Sequence, residues 1–268
     1  MDNKNTISGF GPKEAEFVAR LSYEKKTVVS AKEIDGFLPA DFKYRKQFVY
    51  TLKQKRILTP IKRGVYVFTP LDSIVTGTRI NEFLIPPIFF PRKNYYIGYS
   101  TMFNYYGFTE QIFQTVYVLN TSLCREKVIC GVAYKFVKVS ESRMYGTENI
   151  TVQGVTVAVS SKERTLVDLI YFNKPVGGIV PAVQILKEIV RKKKCDIRKL
   201  VEFASRFPNV TTRKRIGPAL EQLGVEKAIL KPLIKSVGET AISSLTSSRK
   251  GALNTTWRIL SGDPRKQG

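Results

Sequence analysis

Between residues 12 and 24 the apolar side chains Phe17, Val18 and Leu21 share one face of a 3.6-residue period. Pro12 stands near the first turn, and the spacing predicts a helix. Ser30 to Leu38 reads as a second, short helix: the Ser30 hydroxyl is a ready N-cap, Glu33 completes a capping box, and Pro39 breaks the chain. A third helix is expected over about residues 41 to 55. Projected at about 100° per residue, it turns Phe42, Val49 and Leu52 inward with Phe48 flanking. Lys43, Tyr44, Gln47, Tyr50, Thr51 and Gln54 project outward, with Lys46 at the margin. ILTPIKRGVYVFTP then supplies two β-prone runs around the turn region Thr59 to Gly64. Three helices followed by a hairpin is the order of a winged helix-turn-helix.

The middle of the chain is richer in strand. TVYVLN (115 to 120), GVAYKFVKVS (131 to 140) and ITVQGVTVAVS (150 to 160) alternate or run β-branched, with glycine at the joints. Helices are expected at Ser100 to Tyr106 and Ser161 to Phe172, the latter opened by a Ser160/Glu163 capping box. After Pro175-Val176-Gly177-Gly178 the pattern is helical: 180 to 191, 196 to 206, 212 to 223 and 226 to 236. The expected fold class is therefore α+β. A winged helix-turn-helix over 1–70 precedes a mixed α/β domain over 71–260, strand-rich over 85–160 and a helical bundle over 161–260. Residues 261–268 are expected to be a flexible tail.

Charge changes the picture from architecture to partner. Lys and Arg number 44 against 22 Asp and Glu, a net +22, which calls for a polyanion. Residues 1 to 70 carry net +7, 71 to 175 net +3, and 176 to 268 net +12. No run approaches the ~18 to 20 apolar residues of a membrane span, and the start, MDNKNTISGFGPKEAE, is polar where a signal peptide is apolar. A cytoplasmic protein without membrane attachment is expected. Cys124, Cys130 and Cys195 lack CxxC spacing, which favours neither a disulfide framework nor a zinc module.

The outward face of the third helix carries what a major-groove reader needs. Gln pairs with adenine edges, Lys reaches guanine acceptors or phosphate, and Tyr and Thr hydroxyls suit phosphate oxygens. Lys43, Tyr44 and Gln47 are expected at bases, and Lys53, Lys55 and Arg56 nearer the sugar-phosphate backbone. Lys62 and Arg63 sit before Gly64, where a turn would present them to phosphate or the minor groove. Arg191, Lys192, Lys193 and Lys194, with Arg213, Lys214 and Arg215, form candidate secondary phosphate contacts; the alternative is a solvated basic helix end.

KRGVYVFTP (62 to 70), YYIGYSTMFNYYGFTEQ (95 to 111), SSKERTLVDLI (160 to 170) and RKRIGPALEQLG (213 to 224) occur in the order found in the AbiEi family, which the chain resembles over about residues 12 to 236. Members are antitoxins of abortive-infection systems, also described as transcriptional regulators of viral defence. The resemblance implies a winged-helix domain that represses its own operon at promoter inverted repeats in double-stranded DNA, with both domains contributing, and a C-terminal antitoxin domain. It also implies a functional partner, a nucleotidyltransferase-like toxin. Tyr99, Ser100, Tyr106, Gly107, Glu163, Arg164, Thr165, Asp168 and Arg215 match the family pattern without thereby being functional. Related motifs often carry His where this chain has Tyr106, which argues against catalysis there.

No catalytic residue, metal site or cofactor is expected. Without histidine there is no His-dependent triad, HExxH site or imidazole base. Glu163 and Asp168 are about 140° apart on a helix, so they do not form an acid pair, and Arg164 or Asp168 reads as part of a buried ion pair. There is no P-loop and no Gly-Ser turn followed by paired carboxylates. The leading expectation is a DNA-binding autorepressor and antitoxin, not an enzyme. The alternatives are an RNA-binding or RNA-modifying accessory protein using the basic C-terminal helices, and a nuclease-like enzyme.

Overall fold

A computed structural model describes residues 9–39, 43–76, 80–122, 125–246 and 251–260. The expected helix start at Asp41 and Phe42, Cys124, and the tail Ser261 to Gly268 lie outside them. The chain forms two compact units, divided between Glu82 and Phe83, except that Val128–Val132 belongs with the first. The boundary expected at residue 70 falls early.

The first unit runs α1 (Pro12–Tyr23), β1 (Val28–Ser30), α2 (Ala31–Phe37), α3 (Arg45–Gln54), β2 (Leu58–Lys62), β3 (Val65–Phe68) and α4 (Leu71–Thr76). Its antiparallel sheet is ordered β1-β3-β2. Apolar spacing on the helices and alternation on the strands meet in one core of Phe17, Val18, Leu21, Val29, Ile34, Phe48, Leu52, Ile57 and Phe68. The Phe17 ring lies 4.8 Å from Phe37 and 5.4 Å from Phe48, which joins the first three helices. The Ser30/Glu33 capping box forms as expected: the Glu33 N–H donates to Ser30 Oγ at 3.1 Å, and the Ser30 N–H to Glu33 Oε2 at 2.8 Å. Such a cap stabilises by about 1 kcal/mol.

The second unit contains α5 (Pro86–Phe89), β4 (Tyr95–Ile97), α6 (Ser100–Tyr105) and β5 (Thr115–Asn120); β6 (Lys127–Ile129) falls chiefly in the first unit, and β7 (Val132–Lys138), but for its first residue, in the second. β8 (Thr147–Val152), β9 (Val155–Ser160), α7 (Lys162–Tyr171), α8 (Ile179–Arg191), α9 (Ile197–Arg206), α10 (Val210–Glu221) and α11 (Lys227–Val237) follow. Within the second unit the sheet order is β7-β5-β4-β9-β8, with β5 parallel to β7, β4 antiparallel to β5 and parallel to β9. The single run expected over 150 to 160 is instead a hairpin of β8 and β9, because Gln153 and Gly154 take φ values of 47° and 78° and reverse the chain. Leu166, Val167, Leu169 and Ile170 of α7 are buried in a core with Leu186, Leu200, Leu220 and Leu233 of the later helices. The expected bundle does not run to residue 260. β10 (Ser243–Ser244), β11 (Leu253–Asn254) and β12 (Ile259–Leu260) form a small sheet ordered β10-β12-β11. This segment seats Trp257, wholly buried, on Gly217 of α10: a Cβ there would lie 2.2 Å from the indole ring. The Trp257 Nε1–H donates to Glu221 Oε2 at 2.9 Å. The fold is α+β.

Candidate nucleic-acid interface

α3 begins at Arg45, not at 41, with Tyr44 as its N-cap and no side-chain cap bond. Lys43 and Tyr44 therefore precede the helix and do not project from its face. Both are exposed, Tyr44 at 71%. Phe48 and Leu52 point inward. At about 100° per residue, Lys46, Gln47, Tyr50, Lys53 and Gln54 then occupy one stripe roughly 120° wide, and all five are exposed. Tyr50 stands at the middle of that set, and Lys46 lies about 20° from its Lys53 edge. Thr51 is half-buried and its hydroxyl donates to the Gln47 carbonyl at 2.9 Å, so its proton is committed within the helix. Arg45 is drawn away from the stripe by Asp35 of α2, at 3.0 Å.

The cations that follow α3 separate. The Lys55 ammonium donates to Glu14 and to the Gly9 carbonyl and lies 4.7 Å from the Phe10 ring centre, so it ties α3 to the start of α1 and is not a backbone contact. Arg56 is exposed.

The β2–β3 connection is short. Lys62 pairs with Val65, leaving Arg63 and Gly64 to make the turn, and the register shifts between Pro60 and Lys62. Gly64 has φ 70°, and its carbonyl accepts the Ala31 N–H at 2.7 Å, which fastens the turn to the first residue of α2. Lys62 and Arg63 are exposed on it.

In the second unit the expected secondary contacts divide. Arg191, in the last turn of α8, and Lys192, Lys193 and Lys194 just after it are exposed, Lys192 in an ion pair with Glu188. Lys214 is wholly buried: its ammonium donates to the Ala241 carbonyl and to Ser243 Oγ, and burial, then Arg258, holds its pKa below the usual lysine value. Arg213 is half-buried and donates to the carbonyls of Phe207 (2.5 Å) and Ser236 (2.7 Å). Arg215 is half-buried with its Nε enclosed and without a partner. The Lys214 assignment is thus corrected, and the 213 to 215 run is chiefly an internal fastening. Consecutive helical residues 100° apart cannot all face outward.

Of the second-unit residues that carry the resemblance, Gly107 is exposed and Tyr106, Glu163 and Arg215 are half-buried, while Tyr99 is buried. Ser100, Arg164, Thr165 and Asp168 are buried. Arg164 donates to Asp168, to the Tyr96 hydroxyl at 3.0 Å, and to the carbonyls of Arg143 and Tyr145 at 3.0 and 3.1 Å. Arg143 donates to the Tyr99 hydroxyl at 3.0 Å and lies 3.7 Å from Asp168. Burial, reinforced by Asp168, pushes the Tyr99 phenol up to about 12. The α7 N-cap is Ser161 and not Ser160. Glu163, expected in a capping box, instead accepts the Asp196 N–H at 2.9 Å. Tyr106 bonds Glu148 at 2.6 Å and the Ser160 carbonyl at 2.9 Å. No helix among the described residues is long and apolar enough to cross a membrane.

No family model and no curated protein sequence matches the chain. Among solved structures, it is similar to the crystal structure of the RV2827C protein from Mycobacterium tuberculosis, at 12% sequence identity and a TM-score of 0.65. The likeness covers 94% of this chain and 92% of that one, and it shows a shared fold.

Proposed function

We propose that this chain is a DNA-binding transcriptional regulator whose first unit is a winged helix-turn-helix. The observation that carries the reading is the order α1-β1-α2-α3-β2-β3 with a β1-β3-β2 sheet, combined with the exposed stripe Lys46, Gln47, Tyr50, Lys53 and Gln54 on α3. In this reading α3 enters the major groove of double-stranded DNA. Gln47 and Lys46 meet base edges, Tyr50 and Gln54 meet phosphate or bases, and Lys43 and Tyr44 approach from the preceding loop. Lys62 and Arg63 form a short wing on adjacent phosphate.

The resemblance to AbiEi antitoxins extends the proposal. The chain represses its own operon at promoter inverted repeats, and its second unit opposes a nucleotidyltransferase-like toxin in the cytoplasm without enzymatic activity of its own. A second reading, RNA binding through the second unit, draws on the exposed cations Arg191, Lys192, Lys193 and Lys194.

Footprinting on the DNA upstream of the chain's own gene tests the first reading. The wild type protects a defined site, and Gln47→Ala with Lys46→Ala loses preference for that site over an unrelated duplex. Unchanged preference in the double variant overturns the assignment of α3. Tighter binding to a structured RNA than to either duplex at matched salt favours the second reading.

A further inference from the structure

Among the described residues, five α-helix ends close with the same pair of backbone hydrogen bonds, and their occupants differ. After α3, the Arg56 N–H donates to the Lys53 carbonyl and the Ile57 N–H to the Leu52 carbonyl, at 3.0 and 2.9 Å. The same pattern recurs at Lys25 after α1, Gly107 after α6, Lys193 after α8 and Gly224 after α10. The closing residue takes a left-handed φ at each: 50° at Lys25, 59° at Arg56, 63° at Gly107, 52° at Lys193 and 75° at Gly224. Glycine is the favoured occupant of this position because a Cβ disfavours that φ. At Gly107 and Gly224 a Cβ would meet nothing within 4 Å, so glycine there answers to the backbone alone. At the other three ends the chain keeps an exposed cation instead.

A cation near a helix C-terminus gains from the helix dipole. That gain does not require the left-handed position. Lys53 and Lys55 already stand at the end of α3. The Arg56 guanidinium has no side-chain partner among the described residues, whereas Lys55 is committed to Glu14. Of Lys25, Arg56 and Lys193, Arg56 alone lies between α3 and β2, the elements to which the DNA reading gives the groove and the wing. Planar and always charged, its guanidinium suits a phosphate.

We infer that Arg56 is a positioning residue that clasps a DNA backbone phosphate at the end of α3 and fixes the helix's register in the groove, held there against the backbone's preference for glycine. This rests on the DNA-binding reading above. Arg56→Gly is the test, because a purely structural residue at this position would be improved by it.

The full chain is titrated with a 30-base-pair duplex taken from upstream of its own gene, over a range of salt concentrations. For Arg56→Gly we expect the unfolding midpoint to rise by about 2 to 5 °C. We also expect the slope of log affinity against log salt to fall by about 0.9. Arg56→Lys keeps the slope, and Lys13→Gln, which removes a cation already paired with Glu16 at 2.9 Å, leaves it unchanged. An unchanged slope in Arg56→Gly, an equal loss in Lys13→Gln, or a lowered midpoint in Arg56→Gly overturns the inference while leaving DNA binding intact. Failure of the wild type to bind the duplex overturns the DNA reading itself, and the inference with it.

Discussion

Arg164 and Asp168 face each other one helical turn apart in α7, both wholly buried, with the guanidinium Nε 3.3 Å and an Nη 3.2 Å from the two carboxylate oxygens. Arg143 shares the same carboxylate at 3.7 Å, so one anion serves two guanidinium groups. Removing the anion is therefore worse than removing either cation. We expect Asp168→Ala to destabilise the second unit by about 3 to 5 kcal/mol, since it leaves buried charge uncompensated. Urea denaturation followed by circular dichroism measures this, and a loss under about 1 kcal/mol would show that water reaches the arginines.

Trp257 is the only tryptophan in the chain, so its fluorescence reports one place: the slot over Gly217. Native emission should be blue-shifted, as for an indole without solvent exposure. Gly217→Ala puts a methyl group where the ring sits. We expect emission to move to longer wavelength and stability to fall by about 3 kcal/mol, the upper range for overpacking.

Burial raises the Glu33 pKa, but the Ser30 N–H and hydroxyl and the Lys26 ammonium outweigh it and hold the carboxyl at about 2. Folding thus favours the ionised form. The resulting stability is full above the ordinary glutamate value of about 4.3 and is lost as pH falls toward 2. The Glu33 side chain is 44% exposed, so solvent screening keeps the effect modest. We expect Glu33→Gln to lower the thermal midpoint of the wild type at pH 7 and to make no difference near pH 2. A difference that persisted undiminished at pH 2 would exclude the charge as its source.

Lys214 is spelled within a basic run, yet its ammonium is enclosed by the segment carrying Ala241 and Ser243. We expect Lys214→Met to leave the salt dependence of DNA binding unchanged. Replacing Lys193 and Lys194 with Gln lowers the slope by roughly two if both touch phosphate. A Lys214→Met variant that binds DNA with a flattened slope would put the lysine back on the surface.

What was legible in the sequence was what is local. Capping by Ser30 and Glu33, and the spacing of α8, α9, α10 and α11, placed those helices to within two residues at each end, because caps and apolar periods act over a few positions. The start of α3 was misplaced since Tyr44 caps it without a side-chain bond, leaving no signal to read. β4 was missed: three aromatic-rich residues are too few to show a period. Arg143 and Tyr145 escaped notice for another reason. They meet Arg164 across 21 and 19 positions, as Tyr96 does across 68, and no local pattern encodes such a meeting. The burial of Lys214 was partly readable, because three successive helical residues span about 200° and cannot share the outer face.

Synthesis proceeds from the N-terminus, and Trp257 is made after every helix whose core it completes. Until then the apolar slot above Gly217 stands open. A nascent chain would pass through a stage in which α8 to α11 are present but unsealed, exposed to chaperones and proteases alike. Only a chain translated past residue 257 can close this layer.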